Sequence, residues 1–357
     1  MVTFKKLLLC LAIFCATTPS LIASEIYQSL VSYRALAMGN TGVASANDAY
    51  SLSYNPAVLA NVESWWLDVG AWTVEASDGL QPLDVASNIV DIQYPYISET
   101  GLSDSYRTDF LSQTSPHIRA NAGINFAARI TGSGLAIGGN YAREVTIQGQ
   151  DDNSVIFQRN ERITQYGMSV PLGSGQWVLG VGRKKIERKD ATSDADSTPV
   201  FGAYETGSVY DVGLLFRFAG ASRSTLGIVM QNVGGLTLNG VDDVEPQEVH
   251  VGYSMNLEMG PVRVVPALDI RGVQTTREKT NRVHAGLEFG LFPNDTGGNL
   301  LTARVGSNQG YATQGAELNF FNRSILIGYT RYYEEIGTSA IKEQSSRRDL
   351  AYLSVGW

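Results

Sequence analysis

Apolar and polar residues alternate with period two through most of this chain, in runs longer than the strands of an ordinary soluble domain. Val249, Val251, Tyr253, Met255 and Leu257 fall on one face, and His250, Gly252, Ser254, Asn256 and Glu258 on the other. The same stripe runs through Val283, Ala285, Leu287 and Phe289, through Tyr210, Val212, Leu214 and Phe216, and through Ala120, Ala122, Ile124 and Phe126. Strands are predicted near 64–76, 118–131, 134–148, 158–171, 175–188, 205–218, 221–231, 247–259, 261–273, 280–292, 299–307, 311–321, 323–334 and 347–357. About 10 residues at ~3.3 Å each, tilted ~40°, rise roughly 25 Å, the height of a membrane's apolar band. The predicted fold class is therefore all-β: a transmembrane antiparallel barrel of about 14 strands.

The connections support this reading. Short turns at 131–134, 172–175, 219–222, 259–261, 293–298 and 321–322 alternate with mostly longer loops at 77–117, 149–157, 189–204, 232–246, 274–279 and 335–346. The connection at 308–310 is the exception. Short periplasmic turns and long outer loops are the pattern of an outer-membrane barrel, and an even strand count brings both ends of the chain to the periplasmic side. A soluble sandwich would show the same stripes. The alternating connection lengths, the strand lengths and the aromatic last residue favour the membrane barrel.

The first residues read as an export signal. Lys5 and Lys6 precede the apolar run Leu7 to Cys15, which is too short for a spanning helix of roughly 20 residues. Cleavage is expected after Ala23 or Ser24, leaving 1–24 as signal peptide, 25–63 as an N-terminal segment and 64–357 as the barrel. Both cysteines, Cys10 and Cys15, lie in that signal. The exported chain then has no thiol for a disulfide, a metal or a nucleophile. Leu9 and Phe14 before the cysteines speak against lipidation. The chain is acidic, with 27 basic against 35 acidic residues. That balance points away from nucleic acid.

At the other end, Leu353 and Val355 share a face with Trp357. A terminal aromatic residue behind alternating apolar residues resembles the signal read by the outer-membrane barrel assembly machinery. An amphipathic ring is also favoured at the membrane interface.

Residues 34–60 have a different texture, small and rich in Gly and Ala. Asp48 suits the start of a short helical turn through Leu52. Asn55 is a good N-cap and Pro56 a good first helical residue, so a second short helix is expected over Ala57 to Ala60. Gly39 and Gly42 permit tight turns. Such a compact stretch fits a barrel lumen. The set Arg34-Ala35, Met38-Gly39, Asp48-Ala49 and Tyr54-Asn55-Pro56-Ala57 resembles the start of the FadL-like outer-membrane proteins. These are the FadL/TodX-like transporters of fatty acids and aromatic hydrocarbons, grouped with PorV-like and TraF-like branches. The resemblance implies that 25–63 form a hatch plugging the barrel from the periplasmic side.

If the apolar stripes face lipid, the inner stripes carry both charge signs: Asp68, Arg119, Arg129, Glu144, Asp211, Arg217, Glu258, Arg263, Asp269, Arg271, Glu288, Arg304 and Glu317. Mutual pairing is their expected role, since buried charges must be paired or solvated. Trp66 and Trp72 are predicted on the inner face, packed against the hatch. In the long loop, Leu80, Leu83, Val85, Ile89, Val90 and Ile92 suggest a greasy lid. His250, His284 and Glu288 fall on the inner stripe, but no metal or other cofactor is assigned. No nucleophile elbow or phosphate loop is present, so an enzyme is not expected. The resemblance implies passive uptake of a small hydrophobic molecule such as a fatty acid or aromatic hydrocarbon. The alternative is a non-transporting PorV/TraF-like barrel serving secretion or surface assembly. Expected partners are outer-membrane lipid and lipopolysaccharide, the assembly machinery and a hydrophobic small molecule.

Overall fold

The computed structural model describes residues 30–62, 65–77, 79–88, 92–93, 96–97, 104–113, 115–130, 132–150, 155–194, 199–220, 222–239, 241–275, 280–293, 298–336 and 345–356. The signal segment and Trp357 lie outside them. Among the described residues no helix is long and apolar enough to cross a membrane.

Fourteen antiparallel strands close into a transmembrane barrel. They are β1 (Trp65–Ser77), β2 (His117–Arg129), β3 (Ala136–Gln150), β4 (Val155–Leu172), β5 (Trp177–Asp194), β6 (Glu205–Arg217) and β7 (Thr225–Val233). The other half is β8 (Glu248–Ser254, continued by Leu257–Met259), β9 (Val262–Ile270), β10 (Val283–Pro293), β11 (Asn299–Asn308), β12 (Tyr311–Phe320), β13 (Ile325–Glu335) and β14 (Ser345–Gly356). Each strand pairs with its sequence neighbours, and β14 pairs with β1, so no edge is left open. Both parts of β8 pair with β9. The interruption at Met255 and Asn256 lies opposite Pro266, which has no N–H to donate to the ladder; Pro266 O accepts from Met255 N at 3.1 Å instead.

Outward residues are greasy and exposed, including Met168, Val181, Val212 and Ile327, with Leu214 half-exposed, while the inner stripe is buried and polar. Trp177 and Phe216 meet at 4.5 Å between ring centroids at the turn end of the belt. Leu353 is 39% exposed on the outward face, with Val355 on the same side.

Register breaks in β1 between Asp68 and Ala71 against β2, and between Asp68 and Gly70 against β14. A bulge of this kind reverses the face of every later residue in the strand. Asp68 and Trp66 face the lumen. Trp72 does not: it pairs in register with outward Leu353 and packs outside the wall. Glu75, which unbroken alternation from Asp68 would put outward, turns inward.

The long loop carries α2 (Pro82–Asn88) and α3 (Asp104–Leu111); α1 (Tyr33–Ala37) belongs to the N-terminal segment. Leu80, Val85 and Phe110 are buried against Ala76, Ile118, Ala120, Val145 and Ile147, which face away from the lumen. The described part of this loop thus clasps the outside of β1 to β3 rather than lidding the mouth. Leu83 is exposed. Ile89 and Val90 lie outside the described residues.

Candidate functional site

Residues 30–62 sit inside the barrel, almost wholly buried. Their local structure follows from the caps. Ser32 Oγ accepts from Ala35 N at 3.3 Å and starts α1. Asp48 Oδ1 accepts from Tyr50 N at 2.9 Å ahead of a 3₁₀ turn at Ser51–Ser53. Asn55 Oδ1 accepts from Ala57 N at 2.9 Å, and Pro56 opens a 3₁₀ helix through Asn61. Gly39 has φ +70°, as a turn there requires. Gly42 has no such angle; it is needed because a Cβ would strike the Tyr54 ring.

The wall receives this hatch on bare backbone. Inward glycines occur from β3 round to β12, and at nine of them a Cβ would overlap atoms of residues 37–59. Gly138 and Gly167 meet Leu52 and Leu59, Gly180 meets Pro56 and Ala57, and Gly213 meets Asn55. Gly227 and Gly252 meet Val43, Gly286 and Gly306 meet Met38 and Gly39, and Gly315 meets Ala37. On β9 the corresponding contact is Asp269, whose Oδ2 accepts from Gly42 N at 2.7 Å and Val43 N at 2.9 Å.

Charged side chains lock the contact. Arg34 donates to both oxygens of Glu288, at 2.7 and 3.2 Å, and to Ser45 O at 3.1 Å. Glu288 also receives Arg304 at 2.8 Å and Arg263 at 3.3 Å, and Arg304 reaches Glu317 at 3.2 Å. Arg271 donates to Asn40 O at 2.7 Å, and Arg217 to Ala60 O at 2.7 Å. His284 lies 2.9 Å from Gly39 O. Trp66 packs on Leu52 and Leu59, donates to Asp68 at 2.8 Å and carries Arg323 over its ring. Arg129 and Glu258 lie on the inner stripe but are exposed at the hatch-end rim, where Glu258 pairs with Arg223. Burial raises the Asp48 carboxyl above its ordinary range against the opposing pull of Arg34, and raises the Tyr54 hydroxyl to about 12. A polar pocket of about 40 Å³ opens beside Arg34, Asp48, Trp66 and Arg263.

Sequence reasoning missed three features. Glu75, hidden by the bulge, accepts from Arg119 at 2.7 Å, Tyr332 OH at 2.7 Å and Arg348 at 3.4 Å, with His117 at 3.0 Å. The loop after β7 forms a hairpin (Leu236–Leu238 with Val241–Glu245) that turns inward. Its Leu236 packs on inward Ile186 and Val209, and Lys184 and Glu245 form a buried ion pair. Third, a packed apolar cluster lies between residues 30–50 and β3, β4, β13 and β14, formed by Leu30, Tyr33, Leu36, Tyr50, Ala142, Ile163, Tyr332, Leu350 and Tyr352. Tyr33 stacks on Tyr352 at 3.6 Å.

No protein-family model matches the sequence, and no curated protein does. Solved structures do match. A TodX monoaromatic hydrocarbon channel deletion mutant shares 11% identity at a TM-score of 0.54, over 92% of this chain and 99% of that one. A Pseudomonas aeruginosa FadL homologue shares 12% identity at a TM-score of 0.51, over 94% and 99%. The fold of this chain is that of the FadL-like outer-membrane β-barrels.

Proposed function

We propose that this protein is an exported outer-membrane channel for passive uptake of a small hydrophobic molecule, of the fatty-acid or aromatic-hydrocarbon class. The observation that carries the reading is the packed cluster of tyrosines and aliphatic residues on the inner side of the wall. An apolar solute gains roughly 25 cal/mol per Å² on leaving water for such a surface. Leu30 is one of the buried members of that cluster, and in the proposal a solute takes the place of its side chain. The likeness to TodX and FadL-like barrels accords with this use. In the proposal 25–63 serve as the hatch, residues 1–24 as the export signal, and Leu353, Val355 and Trp357 as the assembly signal.

Liposomes containing the purified barrel are expected to take up radiolabelled toluene or oleate faster than empty liposomes. Ile163→Asp, which places a charge in this cluster, is expected to abolish the gain while the barrel stays folded. Uptake equal to that of empty liposomes for every apolar solute tried would defeat the proposal.

The glycine-seated hatch favours a second reading. Contact at backbone distance along most of the wall makes wholesale hatch removal costly, which suits a non-transporting barrel serving a secretion or surface-assembly system. Stoichiometric co-purification of a protein partner, with no apolar uptake, would establish it.

A further inference from the structure

The outward face of β3 to β6 changes character above the lipid belt. Met168, Val181 and Val212 lie in one register row and are exposed to lipid. The next outward row holds Tyr166, Arg183 and Tyr210. Arg183 donates to Tyr166 OH at 2.8 Å and lies 6.0 Å from each tyrosine ring, an interfacial aromatic girdle with a cation set in it. Above it Tyr141, Thr164, Lys185 and Ser208 are neighbours. Above those, Arg143 stands directly opposite Arg162.

Among the described residues the rows carry Arg162, Arg183 and Lys185 against one carboxylate, Glu187. Glu187 pairs with Lys185 at 3.1 Å with both half-exposed, an attraction of small worth in water. Arg162 also stacks on Tyr204 at 4.2 Å, which fixes its guanidinium at the edge of the patch. On the outer face of β13 and β14, by contrast, Arg331 and Arg347 both reach the carboxylate of Asp349, at 2.6 and 3.4 Å.

We infer that this face binds a phosphorylated, acylated glycolipid of the surrounding outer leaflet. Its phosphates meet Arg143, Arg162, Arg183 and Lys185, its sugar hydroxyls meet the tyrosine and Ser208 hydroxyls, and its acyl chains lie on the Met168–Val181–Val212 row. Cations grouped at headgroup height attract anionic lipid, and arginine suits phosphate in particular. The inference rests on the transmembrane barrel and is independent of what crosses the lumen.

The test uses the full-length protein in mild detergent, titrated with bisphosphorylated lipid A, the same glycolipid with its phosphates removed, and phosphatidylethanolamine. Bound lipid is counted by native mass spectrometry. The wild type is expected to prefer the bisphosphorylated form by about tenfold or more. Arg143→Gln/Arg183→Gln/Lys185→Gln is expected to lose that preference, and Arg331→Gln to keep it. Lys185→Gln alone, at an exposed position, should weaken it in part, and heat-dependent migration in SDS reports whether each variant is folded. Equal binding of phosphorylated and phosphate-free glycolipid, preference for phosphatidylethanolamine, or undiminished preference in a folded triple variant would overturn the inference.

Discussion

Glu288 is the residue on which hatch and wall converge. It is 1% exposed and faces Arg34 from the hatch with Arg263 and Arg304 from the wall. Removing one member of such a buried set leaves uncompensated charge and costs about 3–5 kcal/mol. Glu288→Gln is expected to lower the melting temperature in detergent and to make residues of the hatch accessible to protease; unchanged values for both would refute its assigned place. Asp48 gives a second, pH-dependent expectation. Its folded pKa is raised, burial being the largest cause. The sign follows: its contribution to hatch stability is complete below the unfolded value and is lost as pH rises through the folded one. Asp48→Asn should therefore flatten the pH dependence of hatch protection above pH 4 or so, read by hydrogen exchange of residues 32–62. Arg34, Asp48 and Asn55 were visible in the sequence as a motif. Their partners were not, because Glu288 lies 254 positions from Arg34 and only barrel closure brings them together.

At the scale of elements, the strands were legible because one side of each faces lipid and the other does not, so the period-two stripe survives in every one of them. The β1 bulge was not legible. Its local sequence, Asp68-Val69-Gly70, marks no departure from alternation, yet it reverses Trp72 and Glu75 together. The inward hairpin after β7 was also hidden, since its apolar Leu236 finds its partners, Ile186 and Val209, on other strands. The glycine seats are the elements' most testable feature. Gly180→Val would drive a side chain into the Pro56–Ala57 backbone. Overpacking of this kind costs typically 1–3 kcal/mol. The expected result is an ion leak in planar bilayers that the wild type lacks. Gly202→Ala, which meets nothing within 4 Å, is expected to leave conductance unchanged.

For the whole molecule, the barrel is a closed cylinder with lipid outside and a hydrogen-bonded hatch within. Among the inner charges, Glu288 faces Arg34, Glu317 faces Arg304, and Asp269 accepts from the backbone N–H groups of Gly42 and Val43. Adjacent residues on β6 separate the two environments most cleanly. Leu214 looks outward, and Leu215 is buried against hatch residues such as Ala57 and Val58. Nitroxide labels at these two positions in reconstituted bilayers, read by power-saturation paramagnetic resonance, test the assignment directly. A label at Leu214 should collide with lipid-dissolved oxygen and be shielded from a water-soluble nickel complex, while one at Leu215 is shielded from both. Ready collision of the Leu214 label with the nickel complex would contradict the account.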